Sequence, residues 1–227
     1  MRTLGLIGSG RIGGTVARLA VAAGYDVVLS NSPGPETLEE LVDELGPRAR
    51  AATPAQAAEA GDLAVVSVPL RAYRSVPAEP PGGKVVIDTN NYYPDRDGTI
   101  AELDEKSTTS SELLQRHLAT SRVVKGFNSI YFEHLRALAR PPEAPARSAL
   151  PIAGDDPIAK AIVAAFLDAI GYDTVDVGPL AESWRFEPGA PVYGLVYMAP
   201  GQRDLRDSAP APADAATVRA AVLTARR

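Results

Sequence analysis

Apolar positions along this chain follow two periods that alternate. Thr3–Ile7 is an apolar run of strand length, and Gly13–Ala23 then carries Val16, Leu19, Ala20 and Ala23 at the spacing of one helical face. Asp26–Ser30 reads as a second strand. Glu36–Leu45 reads as a helix with Leu38, Leu41, Val42 and Leu45 inward and its acidic residues outward, stopped by Gly46-Pro47. Further on, the pattern predicts a weak strand over Arg50–Ala52, a short helix over Pro54–Ala60, and strands over Leu63–Val68, Lys84–Asp88 and Arg122–Phe127. Helices are expected over Ser110–Leu118 and Ile130–Ala139. After the Pro- and Ala-rich Arg140–Arg147, a strand over Ala149–Ala153, a helix over Pro157–Ile170 and a strand over Asp173–Val177 complete the series.

Repeated βα alternation predicts an α/β fold: a doubly wound, mostly parallel Rossmann sheet with helices on both faces. A strand-helix-strand extension and an irregular tail follow it. The expected division is residues 1–178 as the nucleotide-binding domain and residues 179–227 as a lid-like segment with a flexible or helical tail. Pro179–Pro200 is rich in Pro, Gly and aromatics, Ser208–Pro212 has linker composition, and Asp214–Ala225 reads either as a last helix or as a frayed end.

Composition narrows the partners. The chain has 227 residues, no cysteine and a formal charge of −5. One buried domain with an extension fits that length. Without cysteine there is no disulfide framework, no thiolate nucleophile and no cysteine metal site. No apolar run is long enough to span a bilayer, and the start lacks the long apolar segment of a signal peptide, so a cytoplasmic location without membrane contact is expected. The net charge and the lack of clustered Lys and Arg argue against nucleic acid. A small-molecule co-substrate is the expected partner, and a homodimer is left open.

The chemistry begins at Gly8-Ser9-Gly10-Arg11-Ile12-Gly13, a G-x-G-x-x-G placed between strand and helix. In that position the three glycines allow, in turn, the tight turn, the close approach of a pyrophosphate, and close strand–helix packing. A glycine-rich turn without ligand is the bland alternative. At the end of the second strand an NAD enzyme would place a carboxylate for the ribose hydroxyls. Here Ser30, Asn31 and Ser32 offer neutral donors instead, which favours NADP over NAD. Arg11 is a further candidate for the 2′-phosphate, or a solvated surface residue.

Gly8–Gly13, Ser30-Asn31-Ser32, Val66-Ser67-Val68-Pro69, Ile87-Asp88-Thr89-Asn90-Asn91 and Val123–Asn128 occur in that order. Over about residues 1–190 this set resembles the NADP oxidoreductases dependent on the deazaflavin coenzyme F-420, a group similar in fold to the nucleotide domain of 6-phosphogluconate dehydrogenases. The resemblance implies direct hydride transfer between nicotinamide C4 and deazaflavin C5, with the cofactors carrying the chemistry and no single ionisable side chain indispensable. One position departs from it. Family members commonly carry an arginine just after Asn-Ser, and this chain has Pro33 there, so NAD is also admissible.

Candidate ring-positioning residues are Pro69 and Asn128, with Val68, Leu70, Asn90 and Asn91 beside them at strand ends, where ligands of open α/β sheets bind. No catalytic residue is assigned outright and no metal cluster is visible. Lys125, one of four lysines, lies inside an apolar strand pattern and needs a structural partner or an anionic ligand. His117 and His134 lie within helices rather than at strand ends, and read as packing or surface residues before proton donors. Trp184-Arg185-Phe186 is either a lid over the rings or ordinary packing. Two other functions compete: an NAD(P)H reductase of an imine, ketone or quinone, and an NADP-binding sensor without turnover.

Overall fold

In this computed structural model, residues 2–79, 83–202 and 204–227 are described. The first βαβ unit consists of β1 (Thr3–Ile7), α1 (Arg11–Ala22) and β2 (Asp26–Ser30). The expected helix over Glu36–Leu45 is split into a 3-10 turn, Pro35–Leu38, and α2 (Glu39–Leu45), because Pro35 opens a tight first turn. Then come β3 (Ala49–Ala51), α3 (Pro54–Ala60) and β4 (Leu63–Val66), with α3 fixed by a capping box between Thr53 and Gln56. The chain continues through β5 (Val85–Asp88), the short helices α4 (Pro94–Asp97) and α5 (Ala101–Asp104), α6 (Ser110–His117), β6 (Arg122–Lys125) and α7 (Phe132–Ala137). It closes with β7 (Ala149–Gly154), α8 (Pro157–Ala169), β8 (Asp173–Asp176) and α9 (Ala215–Leu223).

The eight strands form one sheet in the order β3-β2-β1-β4-β5-β6-β7-β8. This is the doubly wound α/β fold, with the switch in strand order between β1 and β4. β4 and β6 stop two residues short of the apolar runs that predicted them. Ser67-Val68 and Gly126-Phe127 leave the ladder to build loops at the carboxyl edge.

One joint is not parallel. β7 pairs antiparallel with β6, and only through Val124 with Gly154 and Lys125 with Ala153. Both pairs lie at the carboxyl end of β6. The rest of β7 therefore projects beyond that edge and carries the parallel strand β8 with it. A period-two apolar pattern reports burial but not strand direction, which is why sequence reading left this joint unseen.

The tail is part of the core. Tyr197, Ala213, Val218 and Val222 are buried in the same apolar cluster as Leu4, Val65 and Phe166. α9 starts at Asp214, whose side chain accepts from the Thr217 amide at 2.8 Å, and it packs on β7 and β8. That contact resolves the choice between helix and frayed end in favour of helix. No helix among the described residues is long and apolar enough to cross a membrane.

Candidate functional site

Loops leaving β1, β4, β5 and β6 enclose a cleft of about 330 Å³ at the carboxyl edge of the sheet. Its floor is the glycine turn. Gly8 sits at φ +96°, and a Cβ there would lie 2.2 Å from the Ser67 carbonyl oxygen. A Cβ on Gly13 would lie 2.1 Å from the Gly8 oxygen. Those two glycines are demanded by the protein itself. Gly10 differs: a Cβ would meet nothing within 4 Å, although the residue lines the cleft. It is also the N-cap of α1 and provides no side-chain acceptor. The first amides of that helix are left for an outside acceptor at the positive end of the dipole.

The walls come from the strand ends. Asn90 is buried, and its Oδ1 accepts from the Val68 amide at 3.0 Å, which fixes the loop carrying Pro69. Its Nδ2 has no partner among the described residues. Asn128 is likewise buried. Its Nδ2 donates to Asn91 Oδ1 at 3.1 Å and to the Phe186 carbonyl at 2.8 Å, while its Oδ1 has no partner among the described residues. A buried amide group without a partner is destabilising by about 1–3 kcal/mol, so two of them on one cleft fit a polar ligand there. Phe127, just before Asn128, is held at φ +62°, a strained conformation for an aromatic residue. An open glycine cradle, free helix amides and a matched free donor and acceptor together fit a dinucleotide.

Below the walls lies a buried ionic network. Lys125 is fully buried, and its Nζ donates to the Asn90 carbonyl at 2.9 Å, Ser110 Oγ at 2.7 Å and Ser111 Oγ at 3.1 Å. Glu187 lies 3.2 Å and Asp88 3.7 Å from the same nitrogen. Burial raises the Asp88 carboxyl above its usual range, opposed by Lys125, Ser111 and the Asn90 amide. Lys125 thus has structural partners and is not among the cleft residues.

The structure gathers Gly10, Arg11, Ile12, Val68, Pro69, Asn90, Asn91 and Asn128 around one cleft. Leu70 is fully buried in the apolar core and does not line it. Ser30 also points inward, donating from Oγ to the Leu6 carbonyl at 2.7 Å, so its hydroxyl is committed to the fold. Its carbonyl accepts from the Gly8 amide and from Ser9 Oγ. Of the three neutral residues that end and follow β2, Asn31 and Ser32 keep their side chains nearest solvent. Arg11 is exposed with its guanidinium 5.2 Å from the Phe132 ring centre.

Both histidines lie away from the cleft. His117 Nε2 donates to the Val76 carbonyl at 2.7 Å, and His134 Nε2 to the Ser208 carbonyl at 2.9 Å. Phe186 is a core residue, whereas the Trp184 ring carries the guanidinium groups of Arg185 and Arg227 at 4.5 and 5.8 Å from its centre. Sequence reading missed Tyr93, Arg96 and Tyr193, which complete the cleft wall. Tyr93 stood two residues beyond Asn91 and carried a weak signal. Tyr193, far along the irregular segment, carried none.

Residues 3–92 match the family described as NADP oxidoreductase, coenzyme F420-dependent. A hypothetical protein from Sinorhizobium meliloti is similar in structure, with a TM-score of 0.73, 27% identity, and coverage of 86% of this chain and 94% of that one. A candidate F420-dependent NADP-reductase from Arthrobacter sp. FB24 superposes with a TM-score of 0.68 at 23% identity, covering 81% and 87% of the two chains. A reductive aminase from Aspergillus terreus in complex with NADPH and ethyl levulinate shares the fold at 17% identity and a TM-score of 0.55. Coverage there is 79% of this chain and 55% of that longer protein. No curated protein matches the sequence. The matched residues 3–92 contain the glycine turn, Pro69, Asn90 and Asn91, so the similarity to the coenzyme F420-dependent NADP oxidoreductases extends over the floor of the cleft and part of its wall.

Proposed function

We propose that the protein is an oxidoreductase that passes a hydride between NADP(H) and the deazaflavin coenzyme F-420 by direct ring-to-ring transfer. The observation that carries this reading is the cleft lining. It joins the open cradle at Gly10 to unpaired amide groups at Asn90 and Asn128, and among the described residues it holds no histidine, lysine or carboxylate. Such a site positions rather than attacks. Bound NADPH supplies the hydride from its nicotinamide ring. Gly10 and the first amides of α1 receive the pyrophosphate, while Asn31, Ser32 and Arg11 lie toward the adenosine 2′-position. Pro69, Asn90 and Asn128 set the height of the reacting ring, where a shift of about 1 Å is enough to slow transfer roughly a hundredfold. Tyr193, Gly194 and Leu205 bring the segment 179–227 onto the cleft and exclude water.

The direct test mixes protein, NADPH or NADH, and oxidised deazaflavin, and follows the absorbance of both cofactors. Stoichiometric loss of both chromophores supports the reading, and NADPH oxidation only with an imine or ketone refutes it. The same assay checks the histidines. His117→Ala and His134→Ala should each keep most activity, since neither ring reaches the cleft, although the buried His134 should lower thermal stability. Collapse of turnover in either variant with cofactor affinity unchanged would place this protein in another class.

Cofactor choice gives a separate prediction. Pro33 is exposed directly after Ser32. Pro33→Arg should tighten NADPH by about 10- to 100-fold relative to NADH, because a charge-assisted contact to the 2′-phosphate contributes roughly 1.5–3 kcal/mol. Titration of both nucleotides decides it. Equal changes would mean that the loop after β2 does not face the 2′-position.

A further inference from the structure

Two tyrosine hydroxyls meet at the cleft, and only one of their two protons can lie in the bond between them. Tyr93 follows β5, and Tyr193 belongs to the segment after β8. Both line the cleft and their hydroxyls are hydrogen-bonded to each other. Asn91 Nδ2 also donates toward the Tyr193 oxygen at 3.4 Å, and its primary acceptor is the Asn128 carbonyl at 2.9 Å. The Tyr193 oxygen is therefore an acceptor from Asn91. The hydroxyl pair admits either direction, and in the one where Tyr193 donates, its proton goes to the Tyr93 oxygen.

That direction leaves the Tyr93 proton without a protein acceptor among the described residues, at the wall of the cleft. Burial, reinforced by Tyr93, pushes the Tyr193 hydroxyl well above the ordinary tyrosine range, which keeps it protonated. Arg96 stands over the Tyr93 ring, 4.8 Å from its centre. It is held there by Asp97 at 2.8 Å and by the Asn91 carbonyl at 2.7 Å. Burial alone would raise the Asp97 carboxyl, but Arg96 and the amides of Tyr93 and Arg71 hold it below its usual range. A fixed cation thus faces the ring from which a proton would depart.

We propose that Tyr93, aligned by Tyr193 and Arg96, donates a hydrogen bond and then a proton to the heteroatom of the hydride acceptor. As hydride adds to the acceptor's carbon, the electron pair displaced through the conjugated system comes to rest on a ring nitrogen or carbonyl oxygen. The Tyr93 O–H bond breaks and a new N–H or O–H bond forms there. The nicotinamide is oxidised, the acceptor is reduced, and the Tyr93 phenolate regains its proton from water at the half-buried cleft mouth. The acceptor class is therefore a flat conjugated molecule with a lone pair one conjugated path away from the carbon reduced.

This inference rests on the proposed hydride transfer, and the experiment separates the two. Tyr93→Phe and Tyr193→Phe each remove one oxygen, and an unchanged NADPH Kd shows that the nucleotide site is intact. For Tyr93→Phe, the Kd of oxidised deazaflavin for the NADP+-loaded protein should rise about fivefold and kcat should fall about tenfold, the size of one hydrogen bond. Tyr193→Phe should move both quantities in the same direction by less, since Tyr93 keeps its proton. If Tyr93→Phe changes neither quantity by more than twofold, or if Tyr193→Phe has the larger effect, the proposal is overturned. Should the wild type ignore deazaflavin and reduce a cyclic imine, the deazaflavin reading fails. The same two variants then decide the role of Tyr93 on the imine, where loss of a proton donor should lower kcat by about 100-fold or more. A protein that binds neither acceptor refutes both ideas.

Discussion

Gly10→Ala is expected to abolish NADPH binding while leaving the fold intact. The two effects separate because of where the added methyl group goes. Beyond its chain neighbours, a Cβ at Gly10 meets no atom of the described residues within 4 Å, and the residue's φ of −73° suits any amino acid. The expected stability loss is that of alanine at an N-cap, about 1 kcal/mol, or roughly 2–4 °C in Tm for a chain of this size. The methyl group would instead occupy the space above the helix amides where a pyrophosphate must approach. Gly8→Ala provides the contrast, since its Cβ would press on the Ser67 carbonyl and φ is +96°. That variant should lose stability as well as binding. Isothermal titration with NADPH beside a thermal melt checks both, and unchanged affinity in folded Gly10→Ala would remove the nucleotide from this turn.

Most of the fold was legible because its central strands, β1, β2 and β4 to β7, are buried almost throughout. β1, β2 and α3 were predicted to the residue, and the helices facing the sheet were placed within a turn. Three things were not legible, each for a physical reason. The antiparallel step into β7 has no signature in an alternating apolar pattern. The inward turn of Ser30 depends on the Leu6 carbonyl across the β1–β2 ladder, which no local pattern reveals. The Tyr93–Tyr193 pair joins residues a hundred positions apart through a hydrogen bond. Candidates at the strand ends, such as Pro69 and Asn128, were accessible because doubly wound topology says in advance where the carboxyl edge lies. Residues delivered by the later segment needed the tertiary structure.

Lys125→Met should be strongly destabilising. The substitution keeps most of the side-chain volume but withdraws the charge that faces Asp88 and Glu187, and it strands the Asn90 carbonyl. Removing one partner of a buried pair costs about 3–5 kcal/mol, because the other is left charged and uncompensated. At this chain length that corresponds to a Tm lower by roughly 6–20 °C. The deficit should depend on pH with a definite sign. Burial already raises Asp88 in the wild type, with Lys125 opposing it, so loss of Lys125 raises the folded-state carboxyl further. A folded value above the unfolded one stabilises at low pH and is lost as pH rises through the folded value. The variant should therefore recover stability as pH falls from neutral toward the ordinary carboxylate range, and its gap to the wild type should narrow. Adding Asp88→Asn should restore part of the loss at neutral pH by removing the stranded charge. Melts of the three proteins at pH 7.5 and 5.0 decide the matter. A gap that stays constant with pH, or no rescue by Asp88→Asn, would show that the Lys125–Asp88 pair does not hold up this wall of the cleft.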